Sequence, residues 1–313
     1  MFDSIWSDVK QQFSHGNTLT RIILVNVGLF IAVNLVKLIL IPIDHAAPPP
    51  SFQPFIHFLT ISSDWKHNLM HPWVIFTHMF LHVGFWHILW NMLFLYWFGR
   101  IVGDLLGDRR VLPIYLLGGL AGGLTYFVMA NISSPWAFGG YALGASAAVM
   151  AVLVVAGMTA PDYIISLMFL GDVKLKYIVM VLVLLDLIAL SSNSNSGGGF
   201  GHLGGVAMGF VIAHQLQRGN DLTLPVNHAL QSMSAFFQRL FSRQSGPRVA
   251  YKHPNIRKPQ YSSRSERRDQ QASDTHDESH QERLDAILDK IKDSGYESLS
   301  ASEKEFLFNA SKK

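Results

Sequence analysis

The stretch YALGASAAVMAVLVVAGMT, running from Tyr141 to Thr159, carries no charged residue and is dominated by Gly, Ala and Val. A helix needs about 20 largely apolar residues to cross the roughly 30 Å of a bilayer core, and this run is close to that length. Small side chains let helix backbones approach closely, which a lipid-facing span does not require. The stretch is therefore expected to be a membrane helix at the centre of a bundle. A serine, Ser146, stands near its start, preceded by Gly144-Ala145 and followed by Ala147.

The same reading extends outward on both sides. Apolar runs at 22–41, 73–98, 111–130, 175–190 and 200–217 bring the expected spans to six. The fifth is short and carries Asp186, which is read as interfacial or pore-facing and not as catalytic. The sixth, like the fourth, is rich in Gly and Ala and is expected to be central. Gly118/Gly122, Gly119/Gly123 and Gly205/Gly209 have the small-xxx-small spacing of close-packed membrane helices. The fold class that follows is an all-α polytopic membrane protein, a six-helix bundle over residues 20–217.

Composition agrees. Only 15% of the 313 residues are charged, against roughly 25% in soluble domains. Thr20 to Gln217 holds 8 Lys/Arg and 7 Asp/Glu, so most charge lies in the C-terminal tail. The net charge of +3 gathers in the tail and short loops, which suits an anionic membrane face and not a nucleic acid. The absence of cysteine excludes disulfides, thiolate metal sites and a cysteine nucleophile.

Orientation follows from the connectors. Lys10 and Arg21 precede the first span, Arg100, Arg109 and Arg110 follow the second, Lys174 and Lys176 the fourth, and Arg218 the sixth. The alternate connectors have no basic residue at 131–140 or 191–199, and the long first loop has Lys66. The positive-inside rule then sets both termini in the cytoplasm. The N-terminus lacks a small-residue cleavage site after Ile41, so the first span is read as an anchor, in a bacterial plasma membrane.

Five segments are expected: a cytoplasmic N-terminal segment at 1–19, the membrane core at 20–217, a juxtamembrane amphipathic helix at 218–243, a disordered linker at 244–279 and a small helical hairpin at 280–313. Leu230, Met233, Phe236, Phe237, Leu240 and Phe241 recur at helical spacing beside Arg239 and Arg243, as in a helix lying at a membrane interface. Ser279-x-x-Glu282 and Ser300-x-x-Glu303 read as capping boxes opening the two hairpin helices.

Polar groups inside apolar spans mark the candidate chemistry. Ser146 at a helix start, flanked by Gly and Ala, leaves an open approach and aims its amide at any oxyanion formed beside it. Taken alone, the tetrapeptide also fits a small-residue packing face. His202, in Gly201-His202-Leu203-Gly204-Gly205, lies at matching depth on a helix able to pack against the fourth. A neutral imidazole there can take the serine proton and return it to a leaving amine. His78, His82, His87 and Asn91 lie on the second span. His87 and Asn91, four apart, share a helix face and can donate hydrogen bonds without charge. Interhelical polar contacts, and a zinc site, are the alternatives for this cluster.

The run from His78 to Asn91, then Phe98-Gly99-Arg100, Gly107-Asp108-Arg109-Arg110, Gly144 to Ala147 and Gly201 to Gly209 together resemble the rhomboid protease pattern. The resemblance covers about residues 20–217. It implies an intramembrane serine endopeptidase with Ser146 as nucleophile and His202 as general base and acid, a dyad with no carboxylate. It implies an oxyanion hole of His87, Asn91 and the Ser146 amide, with His82, Gly144 and Gly205 in support and no metal or cofactor. The partners implied are transmembrane protein substrates, cut near the outer membrane face, and the lipid bilayer. Three departures stand out: Ala147 where the family usually has Gly, Asp104 where it often has Glu, and Trp65-Lys66 as a loose counterpart of a first-loop Trp-Arg pair.

Other classes fare worse on the residues. No His-Glu-x-x-His string supports a zinc protease, and no Gly-x-Gly-Asp string supports an aspartyl one. No repeat relates the two halves as in many transporters. The rival from another class is a catalytically silent rhomboid-like protein that binds or chaperones membrane helices. Such proteins typically lose the Ser or the His, and both are present here.

Overall fold

The computed structural model describes residues 16–132, 140–167, 171–190, 196–241 and 283–310. The expected disordered linker at 244–279 and the Ser279-x-x-Glu282 box lie outside the described residues, as does most of the N-terminal segment. Two units are present, one reaching Ser242 and one beginning at Arg243.

The first unit is helical. Helix α1 (Thr18–Asp44) is capped by Asn17, whose side chain accepts from the Thr20 amide at 2.9 Å. Its start is also held from a distance: the Asp108 carboxylate accepts from the Thr18 amide at 2.8 and 2.9 Å. Acidic groups belong at a helix N-terminus, where free amides carry partial positive charge, and Asp108 supplies one from another connector. Short elements follow: α2 (Phe52–His57), strand β1 (Ile61–Ser62), α3 (Trp65–Met70) and α4 (Val74–Thr77). Then come the long α5 (Phe85–Leu106) and α6 (Val111–Ile132), strand β2 (Tyr141–Ala142), α7 (Ser146–Thr159), the β3 (Ile164–Leu167) and β4 (Gly171–Lys174) hairpin, α8 (Leu175–Leu190), α9 (Ser196–Gln217) and α10 (Thr223–Phe241). Strand β1 pairs antiparallel with β2 through Ile61–Ala142 and Ser62–Tyr141, tying the first loop to the residues just ahead of α7.

Apolar helices lie at all six expected positions, but the expected limits need correction. Among the described residues, two helices can cross a membrane by length and apolarity, Thr18–Asp44 and Asp108–Ile132, or three if the bent pair Val74–Phe80 and Phe85–Leu106 counts as one span. The second run is not one helix over 73–98. It turns by 90° between Phe80 and Phe85. The carbonyls that would continue the helix are taken by distant donors: His78 O accepts from the Gly144 amide at 2.9 Å, and Met79 O from the Tyr115 hydroxyl at 2.6 Å. Asn26 in turn donates to Tyr115 Oη at 3.2 Å, so the bend is pinned to both α1 and α6. The fourth helix begins at Ser146, not at 141, because β2 and Gly144, at φ +128°, occupy the intervening residues. The sixth begins earlier than expected, at Ser196.

The core is built by backbone contact. A Cβ on Gly118 would overlap Ala151 of α7, one on Gly122 would overlap Ala147, and one on Gly205 of α9 would overlap the Ala147 carbonyl. Gly119 and Gly123, on another side of α6, receive Met79 and His78 from the bend. So α6 is as central as α7 and α9, and α7 is almost wholly buried. By contrast α8 buries Leu175 alone, and Met180, Leu184, Leu185, Leu187 and Ile188 are exposed. Apolar surface of this kind, continued on α1 by Leu35, Leu38 and Ile39, suits contact with lipid.

At the far side of α6, Arg110 donates to Asp221 at 2.8 Å and also to Leu106 O. Asp221 accepts from the Thr223 amide at 2.9 Å at the start of α10. Burial alone would raise the Asp221 pKa, but the hydrogen bonds from Thr223 and Arg110 outweigh it and hold the carboxyl below its ordinary range. Helix α10 exposes Met233, Phe236, Phe237 and Leu240, four of the six residues of the stripe read from the sequence, together with Leu224.

The second unit holds a helix at 283–294, a turn at Tyr296–Ser298 and a helix Ala301–Ala310. Ile287 and Leu299 are buried in it, and Lys290 pairs with Glu303 at 3.0 Å.

Candidate functional site

Ser146 is the first residue of α7, so its amide belongs to the first turn and has no acceptor within the helix. Gly144, two residues earlier, needs its left-handed backbone to turn the chain into the helix, and a Cβ there would come within 2.7 Å of the His87 ring. The turn is braced from the bend. His82, fully buried in the break before α5, accepts from the Ala145 amide through Nε2 at 3.4 Å. Its Nδ1 is buried with no hydrogen-bond partner among the described residues. The His82 and His87 rings meet edge to face at 4.9 Å.

The sequence assigned His78, His82, His87 and Asn91 to one continuous span, and the bend corrects this. His78 and His82 belong to the break, and only His87 and Asn91 share α5. His78 donates through Nδ1 to Val74 O, 2.8 Å away, and packs on Gly123, away from Ser146. Asn91, buried, gives one amide hydrogen to His87 O at 2.8 Å and keeps another.

His202 lies two turns into α9, three residues before the Gly205 contact with Ala147. Ser146, His202, His87 and Asn91 all line one cavity of about 900 Å³. Trp86, Trp90, Phe94, Tyr126 and Tyr141 form much of its remaining wall. No hydrogen bond joins Ser146 to His202 directly. Gly144 and Gly205, the expected supporting residues, are where the turn and the helix crossing leave no room for a side chain.

Asp186 is the residue sequence reasoning undervalued. A histidine with no carboxylate partner was expected, whereas Asp186 Oδ1 of α8 lies 2.5 Å from His202 Nδ1. The signal was present, an ionisable group inside an apolar span. Its partner was not legible, because the sequence of α8 is apolar all round and its pattern does not reveal which way Asp186 faces. Among the described residues, no group of three or more His, Asp or Glu side chains is arranged to hold a metal ion.

Comparisons with known proteins bear on the stretch of chain that builds this cavity. Residues 70–218 fit the family model of the rhomboid domain, which takes in α5 to α9 and all five polar residues of the cavity. The chain carries a rhomboid domain. The rhomboid protease GlpG of Salmonella newport, Salmonella enteritidis and Salmonella typhi is 37% identical to this rhomboid over 68 residues. That alignment covers 22% of this chain and 23% of each relative, so the chain matches less than a quarter of their length. Residues 269–313 of this rhomboid fit a separate family of unknown function, DUF6576. Family and apolar helices together make this rhomboid a membrane protein.

Two of the sequence departures have a structural account. The Ala147 methyl points at Gly122, where the absent Cβ leaves space for it. Asp104 pairs with Arg100 at 3.7 Å on the exposed end of α5, remote from the cavity residues.

Proposed function

We propose that this rhomboid is an intramembrane serine endopeptidase that crosses a plasma membrane six times with both termini in the cytoplasm. In this reading α1, α5, α6, α7, α8 and α9 are the spans. The short α7 is wrapped by the others, so the protein around it and not its own length answers the bilayer thickness. The observation that carries the proposal is that Ser146, His202, His87 and Asn91 line one cavity inside a rhomboid domain.

The chemistry runs as follows. Ser146 Oγ attacks a substrate carbonyl as its proton passes to His202 Nε2. The oxyanion accepts hydrogen bonds from the Ser146 amide, the remaining Asn91 amide hydrogen and the His87 ring. The C–N bond then breaks as the proton moves from His202 to the leaving amine, and water repeats the sequence on the acyl-serine. The substrate is a transmembrane segment, entering laterally and unwinding near the outer face, where Trp86 and Trp90 flank the cavity.

The test is cleavage of a reporter transmembrane helix co-expressed with wild type, Ser146→Ala or His202→Ala. Cutting by wild type alone is expected. Full activity in His202→Ala would remove the base assignment, and full activity in Ser146→Ala would remove the serine mechanism.

The missing direct hydrogen bond between Ser146 and His202 favours one second reading, a silent rhomboid that binds membrane helices. Reaction of Ser146 with a fluorophosphonate separates the two, since only an activated serine is labelled.

A further inference from the structure

On the reading just given His202 needs only Ser146 beside it, yet α8 brings a carboxylate into the same cavity. Asp186 Oδ1 lies 2.5 Å from His202 Nδ1, with the two side chains 14% and 20% exposed. Asp186 Oδ2 is buried and has no hydrogen-bond partner among the described residues. The surroundings argue against a packing role. Asp186 lies on the face of α8 whose other residues, Ile178, Val179, Leu182 and Val183, pack half-buried on the core and are all apolar, while Leu184, Leu185, Leu187 and Ile188 are exposed. A carboxylate there gives up hydration for a single hydrogen bond, which lowers stability and calls for a functional return.

The contact also selects a tautomer. An ionised carboxylate only accepts, so His202 Nδ1 carries the hydrogen and Nε2 keeps its lone pair. Nε2 makes no hydrogen bond among the described residues. This is the state a general base must be in before it can take a proton from a serine.

We propose that Asp186 is a positioning residue for His202, fixing its Nδ1–H tautomer and ring orientation and stabilising the imidazolium formed during attack. The proposal rests on the assignment of Ser146 and His202 made above. In the step concerned, the Ser146 Oγ–H bond breaks, its proton forms an N–H bond at His202 Nε2, and Oγ bonds the substrate carbonyl carbon. Asp186 gains no proton; it stays paired with the doubly protonated ring. When the tetrahedral species collapses, the Nε2 proton goes to the amine nitrogen and the ring returns to its starting tautomer. The other titratable groups on the cavity are His87 of α5, Tyr126 of α6 and Tyr141 of β2.

The experiment uses the full chain reconstituted in vesicles with a reporter helix, comparing wild type, Asp186→Asn, Asp186→Glu, Ser146→Ala and His202→Ala. For each, kcat and KM are measured from pH 5 to 9, together with the rate of fluorophosphonate labelling and the unfolding temperature. Asp186→Asn is expected to lower kcat and the labelling rate by about 10- to 100-fold, with KM little changed. Its unfolding temperature should hold or rise. Asp186→Glu should recover part of the rate. Wild-type kcat and labelling rate in Asp186→Asn, with Ser146→Ala and His202→Ala inactive, would overturn this inference alone. A rate loss that only tracks a lower unfolding temperature, with no recovery in Asp186→Glu, would assign Asp186 to folding and overturn it too. Activity surviving in His202→Ala, or a wild-type Ser146 that never labels, would remove the assignment underneath and the inference with it.

Discussion

Gly205 of α9 faces the carbonyl oxygen of Ala147 so closely that a Cβ on the glycine would overlap it. The contact sets the crossing of the helix that carries His202 on the helix that begins at Ser146. Gly205→Ala must push α9 outward, and overpacking of this kind costs about 1–3 kcal/mol. The expected result is a lower unfolding temperature and loss of most cleavage. Gly28 of α1 is the control, because a Cβ there would meet nothing within 4 Å. At Gly28 alanine should hold or raise stability, by up to about 1 kcal/mol, through helix propensity alone. Equal effects at the two positions would show that the crossing does not depend on the glycine.

Asn91 spends one amide hydrogen on His87 O and has a second to offer the cavity. If that hydrogen meets the oxyanion, Asn91→Ala should lower kcat by about 10²-fold with KM nearly unchanged, because the interaction exists only in the transition state. A rise in KM with kcat intact would make Asn91 a substrate-binding group instead.

Much of this architecture was legible in the residues because small side chains at fixed spacing have few other uses in an apolar run. The Gly and Ala content of the fourth and sixth spans marked α7 and α9 as central, the Gly118/Gly122 spacing did not by itself put α6 beside them, and the limits of α8 follow its apolar run from Leu175 to Leu190. The bend at 81–84 was not legible. Hydropathy continues unbroken through it, and its causes, the Gly144 amide and the Tyr115 hydroxyl, lie far away in sequence. Asp186 was visible as an anomaly, but its pairing depends on the rotation of a helix that is apolar on every side in sequence, and periodicity says nothing about that rotation.

His82 ties the bend to the turn ahead of Ser146 through the Ala145 amide. His82→Phe keeps an aromatic ring in the space and removes the acceptor, leaving a buried amide unpaired. At 3.4 Å the bond is long, so the expected loss is near the lower end of the usual range, about 1 kcal/mol. Slower fluorophosphonate labelling of Ser146 should accompany it. Unchanged stability and labelling would mean the turn is held by Gly144 and the β1–β2 pairing without the histidine.

The second unit offers a pH test independent of the cavity. Glu303 accepts from the Ser300 amide and hydroxyl, both at 2.7 Å, and from Lys290 at 3.0 Å, and these bonds hold its carboxyl down at about 2, from an ordinary 4.5. The folded hairpin therefore keeps Glu303 ionised where the unfolded chain would protonate it. In that window the unfolded state binds more protons, so stability rises with pH. The contribution is fully present above about pH 4.5 and is lost as pH falls through about 2. Solvent exposure of this pair keeps the effect small, which calls for a local probe. Amide hydrogen exchange of residues 300–306 in the full chain should show protection falling across that window in wild type. Glu303→Gln should give lower protection at neutral pH and a flatter profile, because no carboxylate remains to titrate. The same pH dependence in both proteins would assign the effect to another group and leave the Ser300–Glu303 box without a role in holding the hairpin.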